Sequence, residues 1–219
     1  MDSTGRIDSP ESFQRTFEIS RETLDRLKTY AQLLVRWQKT INLVAPSTLG
    51  DLWHRHFADS AQLWRYRPPE ARVWLDIGSG AGFPGLVLAI LGAEAGATHH
   101  ILIESDSRKA AFLREVGRET GITVDILGMR IENPQTCAKV SAVDCITARA
   151  LAPLPRLLEM SAPYFSPSTL GLFLKGRDVA AEIEQAAESW RFAYELKPSV
   201  TDRDARVVLL KALKPKRED

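Results

Sequence analysis

Residues 72–86 read RVWLDIGSGAGFPGL, an apolar run ending in Asp76 and followed by four glycines within eight residues. The apolar run predicts a buried strand over 73–77, and the glycines predict a tight turn leading into a helix. Glycine permits positive φ and lets backbone approach a ligand closely. Gly85, at the end of the loop, would bring the following helix close to the sheet. In open α/β sheets such a turn lies at the carboxyl end of a strand, where ligands bind.

Outward from this stretch, strand-like and helix-like segments alternate. HILIE (100–104), TVDIL (123–127), VDCITA (143–148) and LGLFLK (170–175) are short apolar runs bounded by glycine or charge. SDSRKAAFLREVGRETG, PLPRLLEMSAPYF and DVAAEIEQAAESW between and after them have helical spacing. This order predicts an α/β fold with a mostly parallel, Rossmann-like sheet covered on both faces. FAYEL and ARVVLLKAL, separated by KPSVTDRD, suit a terminal hairpin. Ahead of the sheet, residues 1–67 read as a helical region. Within it, 1–12 are expected to be flexible, one helix follows Ser20 as N-cap, and a second covers LGDLWHRHFADSAQLW. The sheet domain is expected to span 68–219.

Composition sets outer bounds. The 29 basic and 28 acidic residues leave a net charge of +1, so any nucleic-acid contact must come from a local cluster. Cys137 and Cys145 lack metal-ligand spacing and read as ordinary thiols. HRH (54–56) lacks the i, i+4 spacing of a helical zinc pair, so no metal site is expected. Without an apolar leader or a span of ~18–20 apolar residues, a soluble cytoplasmic protein is expected, with no membrane partner.

Two ligands suit the loop. Gly80-Ala-Gly82-Phe-Pro-Gly85 fits the dinucleotide pattern G-x-G-x-x-G. Asp76, directly ahead of the first glycines, is awkward beside a pyrophosphate and better suited to the cationic methionine end of S-adenosylmethionine. Glu104, ending the second strand, would accept both ribose hydroxyls of either ligand.

Further blocks extend the pattern: RWQKTINLVA (36–45), HRHFADS (54–60), IESDSRKAAFLREV (103–116), TARALAPLPRLLE (147–159) and LFLKGRD (172–178). With the glycine loop, in this order and spacing, they resemble the ribosomal RNA small subunit methyltransferase G family, also called glucose-inhibited division protein B. The resemblance covers about residues 30–180. It implies a class I S-adenosylmethionine-dependent methyltransferase sheet behind a small helical region. The implied reaction is methylation of N7 of guanine 527, in the 530 loop of 16S ribosomal RNA of the small ribosomal subunit. Carried over by motif, Gly78, Phe83 and the Ile131-Glu132 pair would contact the donor together with Asp76, Gly80, Gly82 and Glu104. MRIEN (129–133) fits its block loosely. Arg149 would lie at the donor pocket facing the acceptor.

Guanine N7 carries a lone pair at neutral pH, so no general base is expected. His54 and His56 then read as packing or hydrogen-bonding residues. Asp76 or Glu132 is expected to stabilise the cationic charge, and Phe83 or Phe173 to hold an unstacked base. Arg108, Lys109, Lys175 and Arg177 are candidate RNA phosphate contacts. The rival readings are a small-molecule methyltransferase of the same fold and a non-catalytic nucleotide-binding regulatory module.

Overall fold

The structure, a computed structural model, describes residues 5–96 and 98–216. Strand β1 (Val73–Ile77) lies at the middle of a seven-stranded sheet. Around it lie β2 (His99–Ile103), β3 (Asp125–Leu127), β4 (Cys145–Arg149), β5 (Leu170–Lys175), β6 (Trp190–Pro198) and β7 (Arg206–Pro215). Their order is β3-β2-β1-β4-β5-β7-β6. The first five are parallel, whereas β7 runs antiparallel to both β5 and β6. The chain reverses its direction of travel across the sheet between β1 and β4, opening a crevice at their carboxyl ends.

The central strands are mostly apolar because both faces are covered, with Asp76 and Thr147 as buried polar exceptions. Leu75, Ile77, Ile101, Ile103, Ile146 and Phe173 point to one face. That face packs against α7 (Leu154–Ser161) and α8 (Val179–Ser189), with the short α6 (Pro134–Lys139) at its edge. The other face receives α4 (Gly85–Ala95) and α5 (Ser107–Thr120). Helix α4 is buried all round from Gly85 to Gly92, because the N-terminal helices close over it.

Those helices are α1 (Pro10–Phe17), α2 (Arg21–Trp37) and an irregular helical run. Ser20 caps α2 as expected, accepting from the Thr23 amide. Thr23, Leu27, Tyr30 and Leu34 share the face of α2 that meets α4 and α5. The region read as one helix over 49–64 is a 3₁₀ turn (Pro46–Asp51), a π-helical turn (Trp53–Ala58), one α turn, α3 (Asp59–Ala61), and another 3₁₀ turn (Gln62–Tyr66). Leu52, Phe57, Ala61 and Leu63 still turn inward, so the apolar pattern is satisfied by changes of winding.

The expected flexibility of 1–12 needs correction where residues are described; 1–4 lie outside them. Ile7 is buried in the same core cluster as Tyr30 and Phe83. Its amide donates to His54 Nδ1 at 3.3 Å. Ser9 and Ser12 then form a reciprocal capping box that starts α1. A single apolar residue and a cap thus order a segment whose composition is mostly polar.

Candidate active site

At the carboxyl ends of β1, β2 and β4 the loops surround a cleft of about 450 Å³. Gly78, Gly80 and Phe83 come from the glycine loop, and Glu104 closes β2. Ile131 and Glu132 line the far side, and Arg149 stands at the end of β4. Lys109, one of the candidate RNA phosphate contacts, also lines this cleft.

Glu104 shapes the loop as well as facing the cleft. Its Oε2 accepts from the Gly80 amide at 2.8 Å, and Oε1 accepts from the Asp106 amide at 2.8 Å. Each carboxylate oxygen has a second acceptor site, so ribose hydroxyls can be taken without dismantling the brace. At Gly82, φ is +93° and an added Cβ would fall 2.7 Å from the Tyr30 hydroxyl. Only glycine fits there, and the neighbouring Ala81 carbonyl accepts the Tyr30 O–H at 2.5 Å.

Asp76 lies elsewhere than expected. It is buried under the loop and does not line the cleft. Oδ1 accepts from Thr147 at 2.7 Å, while Oδ2 faces the first turn of α4 without a well-aligned donor. A Cβ on Gly85 would come within 2.6 Å of that oxygen. Gly85 therefore admits a buried carboxyl between strand and helix. Burial pushes that carboxyl up to about 6, against the opposing effects of Thr147, the Gly85 amide and Arg149. Glu132 is paired with Arg156 at 2.7 Å, so its charge is already partnered.

Arg149 organises the acceptor side. Nη1 donates to the Arg55 carbonyl at 2.9 Å and lies 3.4 Å from Asp59 Oδ2. Nη2 donates to His56 Nδ1 at 2.8 Å, while His56 Nε2 lies 2.8 Å from the Thr48 hydroxyl. Burial, then Arg149 and Arg55, push the His56 imidazole down to about 3. Its one lone pair is occupied by Arg149, so it has no basic site to offer. The Phe83 ring stacks between Tyr30 and His56, with the Arg149 guanidinium 5.1 Å from its centroid. Phe83 is 4% exposed and Phe173 fully buried, so neither presents a free face to a base.

The remaining cations separate. The Lys175 ammonium pairs with Glu182 at 2.5 Å and donates to the Ala152 carbonyl at 2.9 Å, with its side chain 8% exposed. It is thereby removed as a phosphate contact. Arg108, in the first turn of α5, and Arg177, in the turn after β5, are exposed. The sequence reading missed Tyr30, Leu43, Val44 and Asp59. The last three sit in the quoted INLVA and HRHFADS blocks. Tyr30 is one apolar-face position of α2 and carries no local signal.

Sheet order, glycine loop and ribose-side acid together define a class I S-adenosylmethionine-dependent methyltransferase. A putative O-methyltransferase from Klebsiella pneumoniae has a similar fold, with a TM-score of 0.56 and 18% identity over 92% of this chain and 95% of that one. A ribosomal protein L11 methylase from Lactobacillus delbrueckii has a TM-score of 0.52 and 19% identity over 72% of this chain and 77% of that one. The profile of the rRNA small subunit methyltransferase G family matches residues 23–208. The chain belongs to that family. It is 50% identical over 204 residues to the ribosomal RNA small subunit methyltransferase G of Rhodospirillum centenum, covering 93% of this chain and 91% of the relative. The relative of the same name from Parvibaculum lavamentivorans is 49% identical over 207 residues, or 94% of this chain and 90% of that protein. S-adenosylmethionine is the cofactor of the family and fold. Among the described residues no helix is long and apolar enough to cross a membrane, and no cluster of three potential metal ligands occurs.

Proposed function

We propose that this chain transfers a methyl group to N7 of guanine 527 in 16S ribosomal RNA, within the small ribosomal subunit and in the cytoplasm. The observation that carries the reading is Arg149. It lines the donor cleft and also a second cleft beside it, one guanidinium between two adjoining sites. When bound, S-adenosylmethionine supplies an electrophilic methyl on a sulfonium sulfur, which leaves as a neutral thioether while positive charge passes to the guanine ring.

The residues of the chain fit this donor. The Gly80 surface is open on its cleft side, where an added Cβ would meet nothing nearer than the Gly78 carbonyl at 3.8 Å. Glu104 takes the ribose hydroxyls, and Gly78, Phe83, Ile131 and Glu132 complete the walls of the cleft. Asp76 and Gly82 act from beneath, by fixing the loop. No proton leaves guanine N7; burial, helped by Arg149, keeps His56 neutral, and Arg149 occupies its lone pair, so the residues position rather than titrate. Such positioning is worth about 7–11 kcal/mol of barrier. Arg149 offers guanidinium donors to O6 or a flanking phosphate. Arg108 and Arg177 contribute RNA contacts from the rim.

The test is single-turnover transfer from radiolabelled donor to small subunits lacking the modification. The rate should vary little between about pH 6 and 8.5; a single ionisation abolished by changing His56 would overturn the base-free mechanism. Arg149→Ala should slow transfer more than it weakens donor binding, with Arg149→Lys restoring only part. An unchanged transfer rate in Arg149→Ala would end its acceptor role.

A further inference from the structure

The segment that follows β3 forms one wall of the donor cleft and is held by residues outside the cleft. Met129, Arg130, Ile131 and Glu132 line the cleft one after another. The segment belongs to no strand or helix, so its path is set by what holds its backbone groups. Two buried hydroxyls do so. Thr136, fully buried in α6, donates from Oγ1 to the Arg130 carbonyl at 2.8 Å. Tyr164, buried in the 3₁₀ turn that follows α7 (Ala162–Tyr164), donates to the Ile131 carbonyl at 2.9 Å and accepts from the Cys137 thiol at 3.4 Å. Helix α7 itself adds Arg156, paired with Glu132 at 2.7 Å, and Met160, which lines the same cleft. The carbonyls of Arg130 and Ile131 are thus spent on protein donors. Among the described residues, the amides of Arg130, Ile131 and Glu132 have no protein acceptor.

We propose that Tyr164 and Thr136 are positioning residues that fix this backbone against the adenine of the methyl donor, and so set the preference for an adenine-bearing over a hypoxanthine-bearing ligand. The inference rests on S-adenosylmethionine as cofactor and is independent of which nucleotide receives the methyl group. The sheet order β3-β2-β1 sets three loops side by side at the strand ends. With the glycine loop after β1 and the ribose on Glu104 after β2, the loop after β3 is the one that meets the base. Adenine presents ring nitrogen N1 as an acceptor beside a 6-amino donor, whereas hypoxanthine carries a proton on N1. A backbone amide is a donor only. An unpaired amide therefore suits N1 of adenine and meets donor with donor on hypoxanthine, and a wall built this way rejects the analogue. The rejection requires the amide to stay in place, since a loose segment would turn to suit either base. Neither Tyr164 nor Thr136 lines the cleft, so each acts through the carbonyl it holds.

Calorimetric titration with S-adenosylhomocysteine and with S-inosylhomocysteine, its hypoxanthine counterpart, reads this preference as a ratio of affinities. A general loss of stability, followed separately by thermal unfolding, lowers both affinities and leaves the ratio alone. The wild-type chain should bind the adenosyl ligand at least about ten-fold more tightly. Tyr164→Phe keeps the ring and deletes the O–H. It should weaken S-adenosylhomocysteine about three- to ten-fold, the worth of one hydrogen bond, and change S-inosylhomocysteine less than about two-fold. Thr136→Val should do the same, and Thr136→Ser, which restores the hydroxyl, should keep the wild-type ratio. Each residue is judged by its own variant, so the Thr136 pair decides if Tyr164→Phe does not fold. A wild-type chain without preference would overturn the proposal, as would variants that keep the wild-type ratio, whether both affinities hold or fall together. A wild-type chain that binds neither ligand would instead refute the donor site itself.

Discussion

At the scale of single residues, two buried carboxyl groups do opposite things. Glu104 accepts two backbone amides, and replacing one oxygen by an NH₂ group sets donor against donor. Charged hydrogen bonds of this kind are worth about 1.5–3 kcal/mol. Glu104→Gln should therefore weaken donor binding roughly ten- to hundred-fold by calorimetric titration, and an unchanged affinity would reduce the residue to a brace. Asp76 is held in the protonated direction. With its folded value raised to about 6 from 3.8, the folded state binds the extra proton between those limits. The contribution is fully present below about pH 3.8 and lost as pH rises through about 6. Asp76→Asn, neutral throughout, should gain on wild type across that window in urea unfolding. The difference should level off above about pH 7; a difference that stays flat from pH 4 to 7 would show the carboxyl to be ionised throughout.

Between residue and domain, the elements show how sequence maps to site. Strands β1 and β5 were legible to the residue, because an apolar run between glycines and charges has few other uses in an α/β chain. The glycine loop and Glu104 were legible for the same local reason. The path of 46–66 was not: its apolar positions fit a single helix, and the switches of winding serve distant partners. The π-helical turn puts the Arg55 carbonyl and His56 Nδ1 on Arg149, with Asp59 following directly, a requirement set by a residue some ninety positions later. Equally hidden was the role of Gln38. Its Oε1 accepts from the Leu43 and Val44 amides at 2.9 and 3.0 Å, and its Nε2 donates to the Val44 carbonyl at 2.8 Å. One side chain thus holds Leu43 and Val44, which line both clefts. Gln38→Leu leaves those backbone groups unpaired, at about 1–3 kcal/mol for each that water does not reach. Thermal unfolding should fall accordingly, and the apparent affinity for donor and for RNA should drop together. Loss of only one would separate Leu43 and Val44 from the other cleft.

Across the whole molecule, the helical N-terminal region and the sheet share one apolar cluster, from Ile7 through Tyr30 and Phe83 to Phe112. The hydrogen bond that ties α2 to the glycine loop is the O–H of Tyr30, donated to the Ala81 carbonyl. That bond makes the two regions reciprocal. If the order of α2 favours the donor-binding form of the loop, a bound donor must favour the order of α2 by the same free energy. Amide hydrogen exchange reads this directly: saturating S-adenosylhomocysteine should slow exchange along 27–34, well outside the cleft. Tyr30→Phe, which keeps the ring packing and deletes the bond, should weaken donor binding by up to about ten-fold. It should also abolish most of the added protection. Protection confined to 78–85 in wild type would mean that the helices only cover the sheet. Protection reaching α2 would make the helical region a partner in the binding equilibrium, so that any ribosomal contact made by those helices would also set the affinity for the methyl donor.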